Sequence, residues 1–295
     1  MKVVIDSNNP IICWWSGGIT SAVACKIAIE RLGKESCRVI MLDTKNEHKD
    51  TYRFLKDCEK WYGLKIEILA SDEYASIEDT WLKYNSLNTA NGAICSYLLK
   101  RRVREKWEKV NEYSHQVFGF EYSKKELNRA KSLKLGHPNT RPIFPLISAR
   151  LGKVDCINKV IKAGIEVPEA YTLGFQNNNC LNTGCVQGGI GYWKKIQKER
   201  PEVFDKMAAM EHKLTDRKGK PVTMLKDQSK KAKESGDTLV FLKRHTDYPN
   251  LKCIDDMKGR PVKPLQDCNG FCGTNDLNGV SKTQDELNYD VDTIL

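Results

Sequence analysis

Five consecutive apolar residues, Ile11-Ile12-Cys13-Trp14-Trp15, stop at Ser16-Gly17-Gly18, and a helical pattern follows over residues 20–32. A strand with no polar face has to be covered on both sides, which is the condition of a parallel sheet inside an α/β fold. Pro10 and the glycine pair bound the run, and Gly33 stands where a helix C-cap belongs. The alternation repeats downstream. Residues 3–5, 38–42, 65–69 and 116–120 read as short strands; residues 50–62, 74–84, 96–110, 122–132 and 153–163 read as helices. The expected fold class is α/β, a mainly parallel twisted sheet with helices on both faces.

The texture changes near residue 175. Asn177-Asn178-Asn179 opens a polar, glycine-rich segment holding Cys180 and Cys185. One helix is expected over 191–213, interrupted at Pro201, and within 214–263 only 238–242 reads as a strand. The expected organisation is an α/β domain over 1–175 and a cysteine-containing region over 176–295 with an acidic tail.

Composition sharpens this. The chain has 295 residues, enough for a substantial core. No run approaches the length of a membrane span, and the first ten residues lack a secretory signal, so a cytoplasmic protein with no membrane partner is expected. The 11 cysteines are then reduced thiols, metal ligands or catalytic groups. The net charge of +10 is uneven: +7 over residues 213–263 against −5 over 264–295. A basic excess suits a polyanionic partner, a nucleotide or a nucleic acid; plain solubility is the competing reading.

The segment Ser16-Gly17-Gly18-Ile19-Thr20-Ser21 sits between a strand and a helix N-terminus. Two glycines permit a tight turn, and free N–H groups at the positive end of a helix favour phosphate. Ser16, Thr20 and Ser21 add hydroxyls. No Lys follows the glycines, so this is not a Walker A loop, and it does not match G-x-G-x-x-G either. At the end of the next strand, Asp43 and Thr44 fall where α/β folds bind the base or ribose of a nucleotide.

The loop resembles the SGG-x-x-S pyrophosphate loop of the PP-loop ATP pyrophosphatase superfamily. Many members carry Asp where this chain has Thr20. Ala93-Ile94-Cys95-Ser96-Tyr97-Leu98-Leu99-Lys100-Arg101 resembles the cysteine-plus-basic segment of phosphoadenosine phosphosulfate (PAPS) reductase-like proteins. Gly119-Phe120-Glu121 with Lys125 and Arg129, Pro145-Leu146-Ile147, Lys153-Val154-Asp155 and Tyr171-Thr172-Leu173-Gly174 follow the same order. Gly184-Cys185-Val186-Gln187-Gly188-Gly189 and Cys268-Asn269-Gly270-Phe271-Cys272-Gly273 are similar to a bacterial and phage subgroup with extra cysteine pairs. The Glu-Cys-Gly-Ile/Leu-His nucleophile motif of true PAPS reductases is missing from this chain.

Cys180 and Cys185 are spaced C-x₄-C and Cys268 and Cys272 C-x₃-C, each pair able to supply half of a four-thiolate site. Zn²⁺ and a [4Fe–4S] cluster both remain open as its occupant, against the alternative of free thiols. Cys95 precedes a basic stretch; with Lys100 and Arg101 it is the candidate catalytic group, and Lys100, Arg101, Arg102 and Arg104 could clamp phosphate. Cys13, Cys25, Cys37, Cys58 and Cys156 read as core thiols.

The resemblance implies an ATP- and Mg²⁺-dependent enzyme that adenylates an acceptor, releases pyrophosphate and serves sulfur transfer to a nucleotide or nucleic acid, with a sulfur-donor protein as partner. Two other readings stand beside it: thiol- or iron–sulfur-dependent reduction of PAPS or adenylyl sulfate, and a non-catalytic nucleotide or nucleic-acid module with structural zinc.

Overall fold

The computed structural model describes residues 8–89, 92–178, 180–263 and 265. The strand expected at 3–5, Cys268 and Cys272, and the acidic tail lie outside these residues. The central sheet is built from β1 (Ile11–Trp15), β2 (Cys37–Asp43), β3 (Ile66–Ala70), β4 (Gln116–Val117) and β5 (Pro142–Ile143). Its order is β3-β2-β1-β4-β5, and every pairing in it is parallel.

Side chains alternate along a strand, so β1 serves two cores. Ile11, Cys13 and Trp15 enter one cluster with helices α1 (Ile19–Leu32) and α2 (Lys49–Tyr62), through Ala22, Cys25, Phe54 and Cys58. Ile12 and Trp14 enter the other with Trp107, Phe118, Phe120 and Leu133. Both faces are therefore covered, as the uninterrupted apolar run requires. The core thiols fall as expected: Cys13, Cys25, Cys37, Cys58 and Cys156 are all buried, and burial pushes the Cys58 and Cys156 thiols up to about 12. Gly63 ends α2 in a left-handed conformation, φ +63°.

After β3 the chain forms α3 (Ile77–Tyr84) and then the helix expected at 96–110, which starts at Ile94, passes through a π-type turn over Tyr97–Arg101 and continues as α4 (Arg102–Glu108). The strand expected at 116–120 pairs regularly only over Gln116–Val117. Beyond it the chain packs against α1, and Phe118, Phe120 and Phe144 stack with one another. Then follow α5 (Lys124–Gly136), α6 (Lys153–Lys162), α7 (Ile190–Glu199) and α8 (Pro201–Lys218). Pro201 opens α8, since its fixed φ and missing N–H suit a first helical position, and the single helix expected there becomes two.

The basic region holds more structure than its sequence shows. β6 (Leu225–Lys226), α9 (Lys230–Ser235), β7 (Leu239–Phe241) and β8 (Lys252–Cys253) make a small sheet of order β8-β7-β6. A third cluster joins Tyr74, Trp81, Leu98 and Leu99 to Ala170, Trp193, Phe204, Met207, Val240 and Ile254. Packing thus continues across residue 175.

Candidate active site

The chain runs β1, β2, β3 outward on one side and then crosses to β4 and β5 on the other. The strand order reverses between β1 and β4, and α/β folds bind ligands at the carboxyl ends of the strands there. Ser16-Gly17-Gly18 leaves β1 at that point. Gly17 has φ +83°, and a Cβ there would sit 2.9 Å from Thr51 Cγ2. Both the torsion and the space demand glycine. Gly18 is the N-cap of α1, and Ile19, Thr20 and Ser21 form its buried first turn.

The loop is braced internally. Ser21 Oγ donates to Gly18 O (2.8 Å) and accepts from Ser16 N (3.0 Å) and Ser16 Oγ (3.1 Å). Two residues from far along the chain hold it from above. Asn178 Nδ2 donates to Gly17 O (2.9 Å) and to Thr51 Oγ1 (3.2 Å). The Tyr171 hydroxyl accepts the Ile19 N–H at 3.2 Å. Among the described residues, no partner takes the N–H of Gly17 or Gly18. Asn178→Ala is expected to destabilise the fold by about 1–3 kcal/mol, because the carbonyl it serves is buried. Urea unfolding measures this; a wild-type midpoint would show the clamp contributes nothing.

At the end of β2, Asp43 accepts from Lys45 N (2.8 Å) and from the Tyr52 hydroxyl (3.0 Å to each oxygen). Burial, then the Asp43 charge, raises the Tyr52 phenol above its ordinary range. Thr44 Oγ1 donates to Glu47 Oε1 (3.1 Å), and Lys100 Nζ lies 3.7 Å from the same oxygen. All three are buried, so the π-type turn delivers a cation to the end of β2 beside the loop. The other expected clamp members are committed to carboxylates of their own. Arg101 bonds Glu105 (2.8 Å) and Arg102 bonds Glu73 (3.3 Å). Arg104 lies 3.3 Å from Glu108 and is drawn down to about 10 by its burial. The basic run thus does not converge: only Lys100 of these side chains reaches the residues that follow β2. Cys95 is half-buried in the first turn, Ile94–Ser96, of a helix that continues through the π-type turn into α4, so it stands near a helix N-terminus ahead of the basic residues.

The sequence pattern of the phosphoadenosine phosphosulfate reductase domain matches residues 10–131. These residues are similar to that domain. The match contains the loop, the end of β2 and the π-type turn. An uncharacterized protein of Methanocaldococcus jannaschii is 25% identical over 205 residues, which is 67% of this chain and 40% of that protein. The chain therefore spans two fifths of that relative's length. A solved PAPS reductase from Candida auris, in complex with phosphate, aligns with a TM-score of 0.43 and 16% identity over 56% of this chain and 78% of that one.

Cys180 and Cys185 lie beyond the matched residues. Cys180 has φ +44°, a left-handed conformation for a residue with a side chain, and Gly184 has φ +65°. Thr183 N donates to Cys180 O (3.1 Å) and Gly188 N to Cys185 O (2.8 Å), closing two consecutive turns. Cys180, Cys185 and Cys95 all belong to the third hydrophobic cluster. Tyr192 from α7 lies against this loop. Burial, then the Cys185 and Cys180 thiols, raises its phenol well above the ordinary range. Among the described residues its hydroxyl is buried without a hydrogen-bond partner.

Sequence reasoning missed the roles of Tyr171 and Asn178, whose contacts with the loop span more than 150 residues. It also missed Asp216, His245 and Asp247, whose ligand atoms lie within 4.8 Å of one another. Asp247 N donates to His245 Nδ1 (3.1 Å), so Nε2 carries the proton and donates to Asp216 (3.2 Å). A cation on Nε2 would need the opposite tautomer, and the group acts as a braced turn.

Proposed function

We propose that this chain is an ATP-binding PP-loop enzyme that adenylates an acceptor with release of pyrophosphate, in the service of sulfur transfer to a nucleic-acid or nucleotide substrate. The supporting observation is the diglycine loop at the strand-order reversal, with the Gly17 and Gly18 amides facing no described protein acceptor and the α1 N-terminus beside them. An acceptor oxygen attacks the α-phosphorus, the bond to the bridging oxygen breaks, and pyrophosphate leaves with the electron pair. A sulfur nucleophile then displaces AMP.

The protein contributes positioning and charge. Ser16, Gly17, Gly18, Thr20 and Ser21 hold the terminal phosphates, and Asp43 and Thr44 meet the nucleoside. Lys100, kept against Glu47, offers the nearest buried cation. A phosphate oxygen on the Ile19 amide takes the place of the Tyr171 hydroxyl, so binding moves the turn Glu169–Thr172. Bound Mg²⁺ would neutralise phosphate charge; the first turn of α1 carries no acidic residue. The thiols of Cys180 and Cys185, with Cys268 and Cys272, would hold Zn²⁺ or a [4Fe–4S] cluster; soft sulfur donors fit both, and the paired turns with a buried phenol beside them suit a coordinated sulfur.

Mg-ATP and candidate acceptor oligonucleotides are expected to yield pyrophosphate, and Ser16→Ala and Gly18→Asp to slow its release about tenfold or more. Equal release by the variants would remove the loop from the reaction. The matched domain also favours a second reading, reduction of a sulfonucleotide. Sulfite release from PAPS or adenylyl sulfate with a thiol reductant, and none of pyrophosphate from ATP, would select it.

A further inference from the structure

We infer that the turn Glu169–Thr172 is a latch on the phosphate loop: the Tyr171 hydroxyl holds the Ile19 amide until a phosphate oxygen of the nucleotide displaces it, and Glu169 moors the turn to α2. This rests on the phosphate reading of the diglycine loop given above and adds how access to that loop is controlled.

One stretch of chain grips the loop twice. Asn178 Nδ2 donates to the Gly17 carbonyl at 2.9 Å, and the Tyr171 hydroxyl accepts the Ile19 N–H at 3.2 Å. The two contacts differ in kind. An anion has no use for a carbonyl, so the Asn178 bond is compatible with a bound phosphate. The Ile19 N–H belongs to the positive end of α1, where an anion binds. A Cβ on Gly18 would lie 3.4 Å from the same hydroxyl, so Tyr171 stands over Gly18 as well. A neutral hydroxyl is the weaker acceptor, since a hydrogen bond to a charged oxygen is roughly twice as strong. The exchange therefore runs toward the ligand, and its affinity is lowered by the contact it has to break.

The turn is fastened at its start. Glu169 N donates to Asp50 Oδ2 at 2.7 Å, and the Glu169 carboxylate lies 3.4 Å from His48 Nδ1 and 3.9 Å from Arg200 Nη1. Just before it, Arg53 Nη1 donates to Glu166 O at 3.0 Å. Ala170 is fully buried, whereas Tyr171 is half-buried and Thr172 exposed. Leu173 N donates to Glu169 O (2.9 Å) and Gly174 N to Tyr171 O (2.9 Å), closing the turn. Lifting Tyr171 from Ile19 loosens these two bonds while the mooring on α2 stays.

The test pairs calorimetric titration with hydrogen exchange of the full-length protein, using Mg-ATP and, in parallel, PAPS. Binding is expected to speed exchange of the Leu173 and Gly174 amides in the wild type. Tyr171→Phe keeps the ring and loses the acceptor. It is expected to bind about two- to tenfold more tightly and to show the faster exchange without ligand. Its thermal midpoint reports whether it folds, and the wild-type exchange decides by itself if it does not. Equal affinities, or wild-type exchange that binding leaves unchanged, overturn the latch alone. Weaker binding by Tyr171→Phe overturns it too, making the hydroxyl a ligand contact. If neither protein binds either nucleotide, the phosphate reading falls and the latch with it.

Discussion

Glu211→Ala is expected to destabilise the protein by about 2–6 kcal/mol, enough to unfold many domains of this size. Glu211 lies on α8 and is fully buried. Its carboxyl accepts the backbone N–H of Met224 and, at 2.7 Å, of Leu242. These two bonds fasten the small sheet to α8, and removing the acceptor strands two buried donors. Burial pushes the Glu211 carboxyl up to about 8, against the bonds from Met224 and Leu242. The folded chain therefore keeps this proton to about pH 8, whereas the unfolded chain releases it near 4.5. Between those limits the unfolded state binds fewer protons, so stability falls as pH rises, by up to about 1.4 kcal/mol per unit. The contribution is complete below 4.5 and gone above 8. Urea midpoints for wild type and Glu211→Gln across this window provide the measurement. Parallel pH profiles would mean that Glu211 does not titrate with folding.

Gly119→Ala is expected to abolish nucleotide binding while leaving much of the sheet intact. A Cβ at Gly119 would stand 2.5 Å from Ser21 Cα, 2.6 Å from Ser21 N and 2.9 Å from Thr20 C. All three are backbone atoms in the first turn of α1, so no rotamer change relieves the clash. The turn must shift and carry the diglycine loop with it. Overpacking of this kind costs about 1–3 kcal/mol, and a displacement near 1 Å at a reacting centre costs about a hundredfold in rate. Gly136→Ala is the control, since its Cβ would meet nothing within 4 Å. Calorimetric titration with Mg-ATP should show binding by the control and none by Gly119→Ala; equal affinities would separate the segment after β4 from the phosphate loop.

The central sheet was legible because strands buried on both faces carry their signal locally. Ile11–Trp15 and Cys37–Asp43 are nearly continuous apolar runs of this kind, Ile66–Ala70 is the edge strand with Ile68 exposed, and the glycines that close α1 and α2 announce themselves. The loop was legible for the same reason, since its torsions select glycine within three residues. The small C-terminal sheet was not: β6 and β8 are two residues long, and a helix carboxylate anchors the sheet where the sequence shows no alternating pattern. The partners of the basic run after Cys95 were not legible, because Glu47 and Glu73 precede it by 29 to 53 residues. Tyr171 and Asn178 carry no local sign of their contact with residues 17–19.

The third hydrophobic cluster also bears on how the chain is made. Trp81, Leu98 and Leu99 leave the ribosome roughly a hundred residues before Trp193, Phe204 and Val240, the side chains that will cover them. At ordinary synthesis rates that interval is on the order of ten seconds, far longer than collapse takes. During it the nascent chain presents an apolar face with no partner yet synthesised, a site for a holdase chaperone. Shortened translation products ending before α7 should accordingly be captured by such chaperones or aggregate, and only a chain that reaches Val240 can bury that face.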